Sequence, residues 1–158
     1  MNLSFLPEAP TLWTFHVLFV LAVIAGYWKG GPPERRGVQV LCAMLVVQLS
    51  AHVVLPSRFD GVDAVSLCVD LMGLLGFGWI ALSAMRYWPV WAAALQLLSV
   101  SAHFARWVDL GLAPLAYAFM RSGPTFLVIL VLLAGVVRHR LRLARLGSDP
   151  AWRSESLD

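Results

Sequence analysis

Long apolar runs alternate with short polar breaks along most of the chain. Four runs approach the roughly 20 residues that a helix needs to cross the hydrocarbon core of a bilayer. A fifth is shorter, but it continues into arginines whose stems can reach the membrane interface. The pattern predicts an all-α fold: a compact bundle of about five transmembrane helices in one domain over residues 1–145, followed by a short cytoplasmic tail over 146–158. The predicted spans are 12–28, 38–55, 65–85, 88–107 and 124–142.

Residues 110–122, between the last two predicted spans, are apolar enough to contact lipid, but Pro114 and Arg121 interrupt them. A short helix lying in the membrane interface would suit this composition. A kinked extension of the last helix would suit it as well, because proline bends a helix. The sequence leaves both alternatives open, with an interfacial segment as the working assignment.

The composition also favours a membrane protein. Of the 158 residues, 59% are hydrophobic and 13% are charged, and the mean hydropathy is +0.75. A soluble domain usually carries about 25% charged residues, so an ordinary soluble domain of this length is excluded. Cys42 and Cys68 lie near opposite ends of two antiparallel predicted helices, so we expect two small buried side chains and no disulfide.

Basic residues are distributed unevenly between the two sides of the predicted bundle. Because Lys and Arg concentrate on the cytoplasmic side of membrane proteins, we expect the N-terminus outside and the C-terminus inside a bacterial inner membrane. The rich side holds Lys29, Arg35, Arg36, Arg86, Arg138, Arg140, Arg142, Arg145 and Arg153, and the poor side holds Arg58, Arg106 and Arg121.

The arginines after the last span are Arg138, Arg140, Arg142 and Arg145. We expect residues 138–152 to prolong the last helix into the cytoplasm, where these arginines would rest on anionic lipid or dock on a partner subunit. A stop-transfer signal that only fixes topology would have the same composition. The inner turn MRYWPVW at 85–91 is typical of an interfacial anchor, because it combines an arginine with two tryptophans.

Polar residues recur at helical spacing within the predicted spans. Ser-Ala-His occurs twice, ending at His52 and His103, and both histidines lie a few residues short of the predicted outer boundary. Asp70 is the only acidic residue well inside a predicted span, and its depth from the same boundary is similar. We therefore predict a polar intramembrane cluster in the outer half of the bundle. Its members are His16, Gln48, His52, Ser66, Asp70, Gln96, Ser99 and His103.

Three roles for this cluster remain open. Interhelical hydrogen bonds alone would help to specify the fold. A buried carboxyl group is also a candidate proton or solute carrier. His52 and His103 would suit the two axial ligands of a b-type haem, with Arg58, Arg106 and Arg121 near its propionates and space for the ring at Gly73, Gly76 and Gly78, although close helix packing would need the same glycines.

Other chemistries have little support in the sequence. A zinc or copper site from His16, His52, His103 and Asp70 would take every ligand from a different helix, so no metal is expected. No CxxCH, phosphate loop or nucleophile set is present, and nucleic-acid binding is not indicated. The sequence favours a non-enzymatic accessory or structural subunit of a larger membrane complex, respiratory or photosynthetic. The alternatives are an electron-transfer protein with haem b or quinone that uses His52 and His103, and a small proton-linked transporter that uses Asp70.

Overall fold

Five α-helices make up the computed structural model, which describes the backbone of residues 8–54, 64–108 and 114–153. Side chains are described for residues 13–51, 53, 64–105 and 123–153. The helices are α1 (Glu8–Lys29), α2 (Pro32–Val54), α3 (Ala64–Ser83), α4 (Trp88–Val108) and α5 (Pro114–Leu146). The prediction of an all-α, compact five-helix bundle is confirmed.

Glycine and proline set the turn between the first two helices. α1 ends at Lys29, before Gly30 and Gly31, and α2 begins directly with Pro32 and Pro33. Proline suits the first turn of a helix, because its φ is already helical and its missing N–H would have no partner within the helix. This short link forces α1 and α2 to run antiparallel.

Successive helices run in opposite directions throughout the bundle. The start of α2, the α3–α4 turn and the end of α5 meet at one end, where Arg86 contacts both Glu34 and His139. We call this the basic end. In the opposite half, Asp70 of α3 contacts His103 of α4. The contacts at the basic end therefore tie α2 and α5 to the α3–α4 turn, whereas the contact in the opposite half ties α3 to α4.

The hydrophobic core is centred on α4, which packs extensively on both α3 and α5. α2 packs on α3, and α1 packs on α5 and α2. The largest fully buried apolar side chains come from α3 and α5, and they are Phe77, Ile80, Ile129 and Leu132.

The indole of Trp88 fills the core at the basic end and is 6% exposed. Gly37 of α2 and Gly135 of α5 lie directly against the ring, and a Cβ placed on Gly135 would be 2.5 Å from Cδ1. The prediction of an interfacial anchor is therefore wrong for Trp88, because glycines on two neighbouring helices make room for the ring inside the bundle. The second tryptophan of the turn, Trp91, is 66% exposed.

By length and composition, α3 is the one helix among the described residues that is long and apolar enough to cross a membrane. The apolar part of α1, Trp13–Lys29, is shorter. In α2, charged residues in the first turns lower the hydropathy, as the glutamine and serines do in α4. The arrangement of five membrane spans stays a prediction.

The last helix is longer than the sequence predicts. α5 runs from Pro114 to Leu146 without a break and contains Pro124 inside it. Residues 114–122 thus belong to this helix, so the helical extension describes them and a separate interfacial segment does not; residues 110–113 lie outside the described residues.

The chain turns back after α5 instead of continuing away from the bundle. Gly147 has a φ of +71° and donates its N–H to the carbonyl of Leu143 at 3.0 Å, which is a typical helix C-cap. Residues 147–153, the C-terminal segment, then pack on the α3–α4 turn, where Trp152 pairs with Ala84 in an antiparallel bridge. The expected helical prolongation over residues 138–152 is therefore confirmed as far as Leu146 and wrong beyond it.

Two buried polar clusters as candidate functional sites

The first cluster is centred on the carboxylate of Asp70, and we call it the Asp70 cluster. The hydroxyl of Ser99 donates to Oδ2 of Asp70 at 2.7 Å, and Nε2 of His103 lies 3.0 Å from the same oxygen. All three residues are at least 94% buried, and Ser66, one helical turn before Asp70, is also buried. Both partners come from α4, since positions 99 and 103 share one helix face. The cluster therefore joins α3 to α4.

Gln96 extends the polar face of α4 toward α2. It is fully buried, and its Nε2 lies 3.8 Å from the sulfur of Met44. No described residue donates to its Oε1. Gly73 of α3 permits this approach, because a Cβ there would stand 2.8 Å from Met44 Sδ and 3.0 Å from Gln96 Cδ.

Three other predicted members are placed differently. His16 is exposed and has its ring against Phe15, on a helix that packs mainly on α5 and α2, so it does not join the Asp70 cluster. The expectation for His16 is wrong because an equal depth does not imply an equal face. Gln48 is half-buried on α2, and the side chain of His52 lies outside the described residues.

The three glycines of α3 that were predicted to allow close helix packing differ in what surrounds them. Gly73 and Gly76 face side chains of α2, and a Cβ on Gly76 would be 2.8 Å from a methyl group of Val40. A Cβ on Gly78 would meet no atom within 4 Å in the described part of the chain, so the prediction of a packing role is wrong there. Gly76 and Gly78 differ by two positions, which places them on different helix faces.

The second cluster, at the basic end, was not predicted from the sequence. Glu34 of α2 is fully buried, and the indole N–H of Trp88 donates to its Oε1 at 2.9 Å. Nε of Arg86 lies 3.4 Å from the same oxygen, as an ion pair. We call this group, with the residues around Asp149, the Arg86 cluster.

Asp149 completes the Arg86 cluster from the C-terminal segment. Its Oδ2 lies 2.7 Å from Nη2 of Arg86 and 2.7 Å from Nδ1 of His139, and its Oδ1 lies 3.6 Å from Nη1 of Arg142. Arg86 also donates through Nη1 to the carbonyl of Pro150 at 2.8 Å. Because side-chain exposure is 4% for both Arg86 and Asp149, water competes little for this pair.

Sequence reasoning assigned Arg86 and Arg142 to topology, and it assigned no role to Glu34, His139 or Asp149. The single available signal was Glu34, an acidic residue beside Arg35 and Arg36 at the start of an apolar helix. Its partners come from a turn and from a segment that folds back, so no periodicity in the sequence connects them.

The predicted docking arginines are not equivalent. Arg138, Arg140 and Arg145 are exposed, whereas Arg142 is half-buried beside Asp149. Arg142 thus forms an ion pair within the chain as well, and the contact of these arginines with lipid or a partner stays a prediction.

Neither cluster has the composition of a metal site. The described residues contain no group of three or more His, Cys, Asp and Glu side chains arranged to hold a metal ion. In the Asp70 cluster the serine hydroxyl donates to the carboxylate rather than to the histidine, which is not the arrangement that activates a serine nucleophile. Cys42 and Cys68 are free, but Cys42 is half-buried and Cys68 is exposed, so the expectation of two buried side chains is wrong. No family model, curated protein or solved structure matches this chain.

Proposed function

We propose that this chain is a multi-pass protein of a bacterial inner membrane, with its N-terminus outside and its C-terminus inside, and that it acts as a structural accessory subunit of a larger membrane complex. The single observation that carries the membrane part is that large apolar side chains cover the outer faces of the helices, while several polar side chains are buried between them.

Large apolar side chains cover the outward faces of all five helices. On α1 and α3 alone, Trp13, Val17, Val20, Leu21, Ile24, Trp28, Leu71, Leu75, Trp79 and Leu82 are exposed. Monomeric soluble proteins rarely expose contiguous apolar patches larger than a few hundred Å². Lipid chains are the natural solvent for such a surface, and they would cover it without a partner on every side.

Several polar side chains lie between the helices beside the apolar core. Asp70, Gln96, Ser99 and His103 are buried between helices, and the carboxylate of Asp70 finds its hydrogen-bond partners within the chain. In lipid, helices gain little from burying apolar surface against one another, so interhelical hydrogen bonds and close packing hold bundles together. A structural role for the Asp70 cluster follows from its internally satisfied bonds.

The subunit role is supported by the exposed arginines Arg138, Arg140 and Arg145 near the end of α5. Neighbouring acidic groups such as Glu34 and Asp149 are turned into the bundle, so the charge of these arginines faces outward. A cationic surface of this kind suits an acidic surface on a partner subunit.

The test uses the full chain in its native membrane. We expect the protein to resist alkaline carbonate extraction and to migrate on native gels, after mild solubilisation, within an assembly several times its own mass. The Arg140→Gln/Arg145→Gln variant should stay in the membrane but lose that assembly. Lys29→Gln/Arg35→Gln is the matched control, because it removes two exposed charges from α1 and α2. Migration as a monomer in every mild detergent would contradict the subunit role.

A second function, proton-linked transport, draws support from the carboxylate and imidazole that face each other at 3.0 Å. Such a pair can exchange a proton, and a buried carboxyl group in a membrane protein often carries one. Asp70→Asn would then abolish proton flux into vesicles while leaving the bundle assembled. Unchanged proton flux in Asp70→Asn would contradict transport and leave only the structural role for the Asp70 cluster.

The haem b alternative depends on the second ring nitrogen of His103. A ligating histidine usually bonds a carboxylate through its other ring nitrogen, so with Nε2 3.0 Å from Oδ2 of Asp70, Nδ1 would have to bind the iron. The other candidate ligand, His52, has its side chain outside the described residues. A reduced-minus-oxidised spectrum of the purified protein tests this alternative directly, and a b-type α band that His103→Ala removes would restore it.

A further inference from the structure

A groove of about 470 Å³ opens at the basic end, between the start of α2, the end of α3 and the C-terminal segment. It is lined by Arg36, Trp79, Ser83, Trp152 and Arg153. Two guanidinium groups, one hydroxyl group and two indoles therefore face the same space. Its volume falls in the range of about 300–1,000 Å³ that is usual for small-molecule sites.

Among the described residues that line the groove, two are basic and none is acidic. Arg36 and Arg153 are exposed at its edges. The described acidic residues nearest in the fold point away, because Glu34 is fully buried against Trp88, and Asp149 is held by Arg86 and His139. A phosphate would thus meet guanidinium donors, which suit it in charge and in geometry.

The two indoles supply an apolar wall next to these charges. The rings of Trp79 and Trp152 have centroids 5.8 Å apart and planes inclined at 48°. Trp79 is 53% exposed and lies one helical turn before Ser83 at the end of α3. Tryptophan favours the level of lipid headgroups, where an apolar ring and a polar N–H are both satisfied.

The Arg86 cluster holds half of this groove in place. Arg86 fixes the C-terminal segment through Asp149 and Pro150, and the N–H of Met85 donates to the carbonyl of Ala151 at 3.2 Å. Trp152 and Arg153 follow immediately, so their position depends on these bonds. The groove therefore depends on these contacts between the α3–α4 turn and the C-terminal segment, which we call the latch, and not on one helix alone.

We propose that this groove binds the headgroup of an anionic phospholipid of the inner leaflet, of the phosphatidylglycerol class. Arg36 and Arg153 contact the phosphate, Ser83 donates to one of its oxygens, and Trp79 and Trp152 lie along the glycerol and the first part of an acyl chain. The inference rests on the proposed membrane insertion, since insertion puts the groove at the headgroup level.

Native mass spectrometry of the full chain in mild detergent, titrated with phosphatidylglycerol or phosphatidylcholine, measures this binding. We expect one tightly bound phosphatidylglycerol and weaker phosphatidylcholine. A basic residue near an anionic lipid contributes about fivefold in affinity, so Arg36→Gln/Arg153→Gln should weaken phosphatidylglycerol binding about 30-fold. Lys29→Gln/Arg35→Gln, which removes the same charge from exposed positions outside the groove, should change it little.

A latch variant gives an independent test. Asp149→Asn removes the charge that pairs with Arg86, while both groove arginines remain. We expect a clear loss of phosphatidylglycerol selectivity, with the helical content by circular dichroism unchanged. Wild-type selectivity in this variant, with hydrogen exchange showing the C-terminal segment released, would overturn the proposed geometry.

Three further outcomes overturn the proposal. They are equal affinity for the two lipids, equal losses in the groove and control variants, and displacement of lipid by inorganic phosphate at the same concentration as by phosphatidylglycerol. Carbonate extraction separates this failure from failure of the proposed function. A chain that stays in the membrane without lipid selectivity refutes the groove alone, whereas a chain released by carbonate that still selects phosphatidylglycerol refutes membrane spanning alone.

Discussion

One carboxylate oxygen, Oε1 of Glu34, accepts a hydrogen bond from the indole N–H of Trp88 and forms an ion pair with Arg86. A hydrogen bond to a charged acceptor is worth about 1.5–3 kcal/mol, and one to a neutral acceptor about 0.5–1.5 kcal/mol. Trp88→Phe should therefore destabilise the wild-type protein by about 2 kcal/mol and the Glu34→Gln protein by about 1 kcal/mol. Unfolding in mixed micelles of the two single variants and the double variant measures this difference.

Trp91→Phe is the control for this cycle, because Trp91 is 66% exposed and should leave stability unchanged. If Trp88→Phe costs the same free energy in both backgrounds, the indole contributes packing alone and its bond to Glu34 has no net value.

We expect a smaller loss of stability when a hydrogen bond of the Asp70 cluster is removed. Ser99→Ala removes the hydroxyl that donates to Asp70, and interhelical hydrogen bonds in membrane proteins average about 0.6 kcal/mol, with a maximum of about 1.7 kcal/mol. We expect a loss in that range. Ser101→Ala on the same helix is the matched control, since its hydroxyl bonds the carbonyl of Leu97 within α4 and faces outward. Equal losses of stability from the two substitutions would show that the hydrogen bond from Ser99 to Asp70 contributes no net stability.

The sequence predicts the Asp70 cluster better than the Arg86 cluster for a physical reason. Asp70, Ser99 and His103 all lie within regular helices, where periodicity gives the face and the rise per residue gives the depth. Glu34, Arg86 and Asp149 meet only because a turn and a returning segment bring them together, and the sequence pattern does not encode that return. His16 lies apart from this cluster because depth along α1 does not fix which neighbour that helix packs on.

At the scale of helices, glycine decides how closely α5 approaches α4. A Cβ on Gly135 would stand 2.5–3.0 Å from three atoms of the Trp88 ring, so Gly135→Ala must displace the ring or separate the helices. Overpacking of this kind typically costs about 1–3 kcal/mol. Gly78→Ala, which meets no atom within 4 Å, should instead gain up to about 1 kcal/mol from helix propensity.

Unfolding of these two variants gives opposite signs if the packing of α4 on α5 is as described. A stabilised Gly135→Ala variant would mean that Trp88 does not occupy the space between Gly37 and Gly135.

The ends of the elements separate what local rules can predict from what they cannot. Pro32 and Pro33 mark the start of α2, and Gly147 marks the end of α5, by backbone rules that act within a few residues. The return of the C-terminal segment depends on tertiary contacts instead, such as the ion pair between Arg86 and Asp149. Sequence reasoning thus placed the helices and misplaced the segment that builds the groove.

For the whole molecule, both polar clusters lie inside the bundle and large apolar side chains lie on its surface. α3 and α4 are joined near one end by Asp70 and at the other by the turn that carries Arg86, while their outer faces present Leu75, Trp79 and Leu98. Polar bonds inside and apolar side chains outside are expected when lipid, rather than water, surrounds a bundle.

Two leucines with the same exposure test this arrangement. Leu75, near the middle of α3, and Leu146, at the end of α5, are both 73% exposed. A lysine at the centre of a spanning helix costs about 2.5–3.5 kcal/mol of insertion free energy, whereas one near the headgroups costs far less because its ammonium group reaches water. Leu75→Lys should therefore reduce the fraction of chains that integrate into the membrane roughly 100-fold, and Leu146→Lys should not. In water both substitutions would be harmless, so normal folding and yield of Leu75→Lys in the soluble fraction would show that α3 faces solvent rather than lipid.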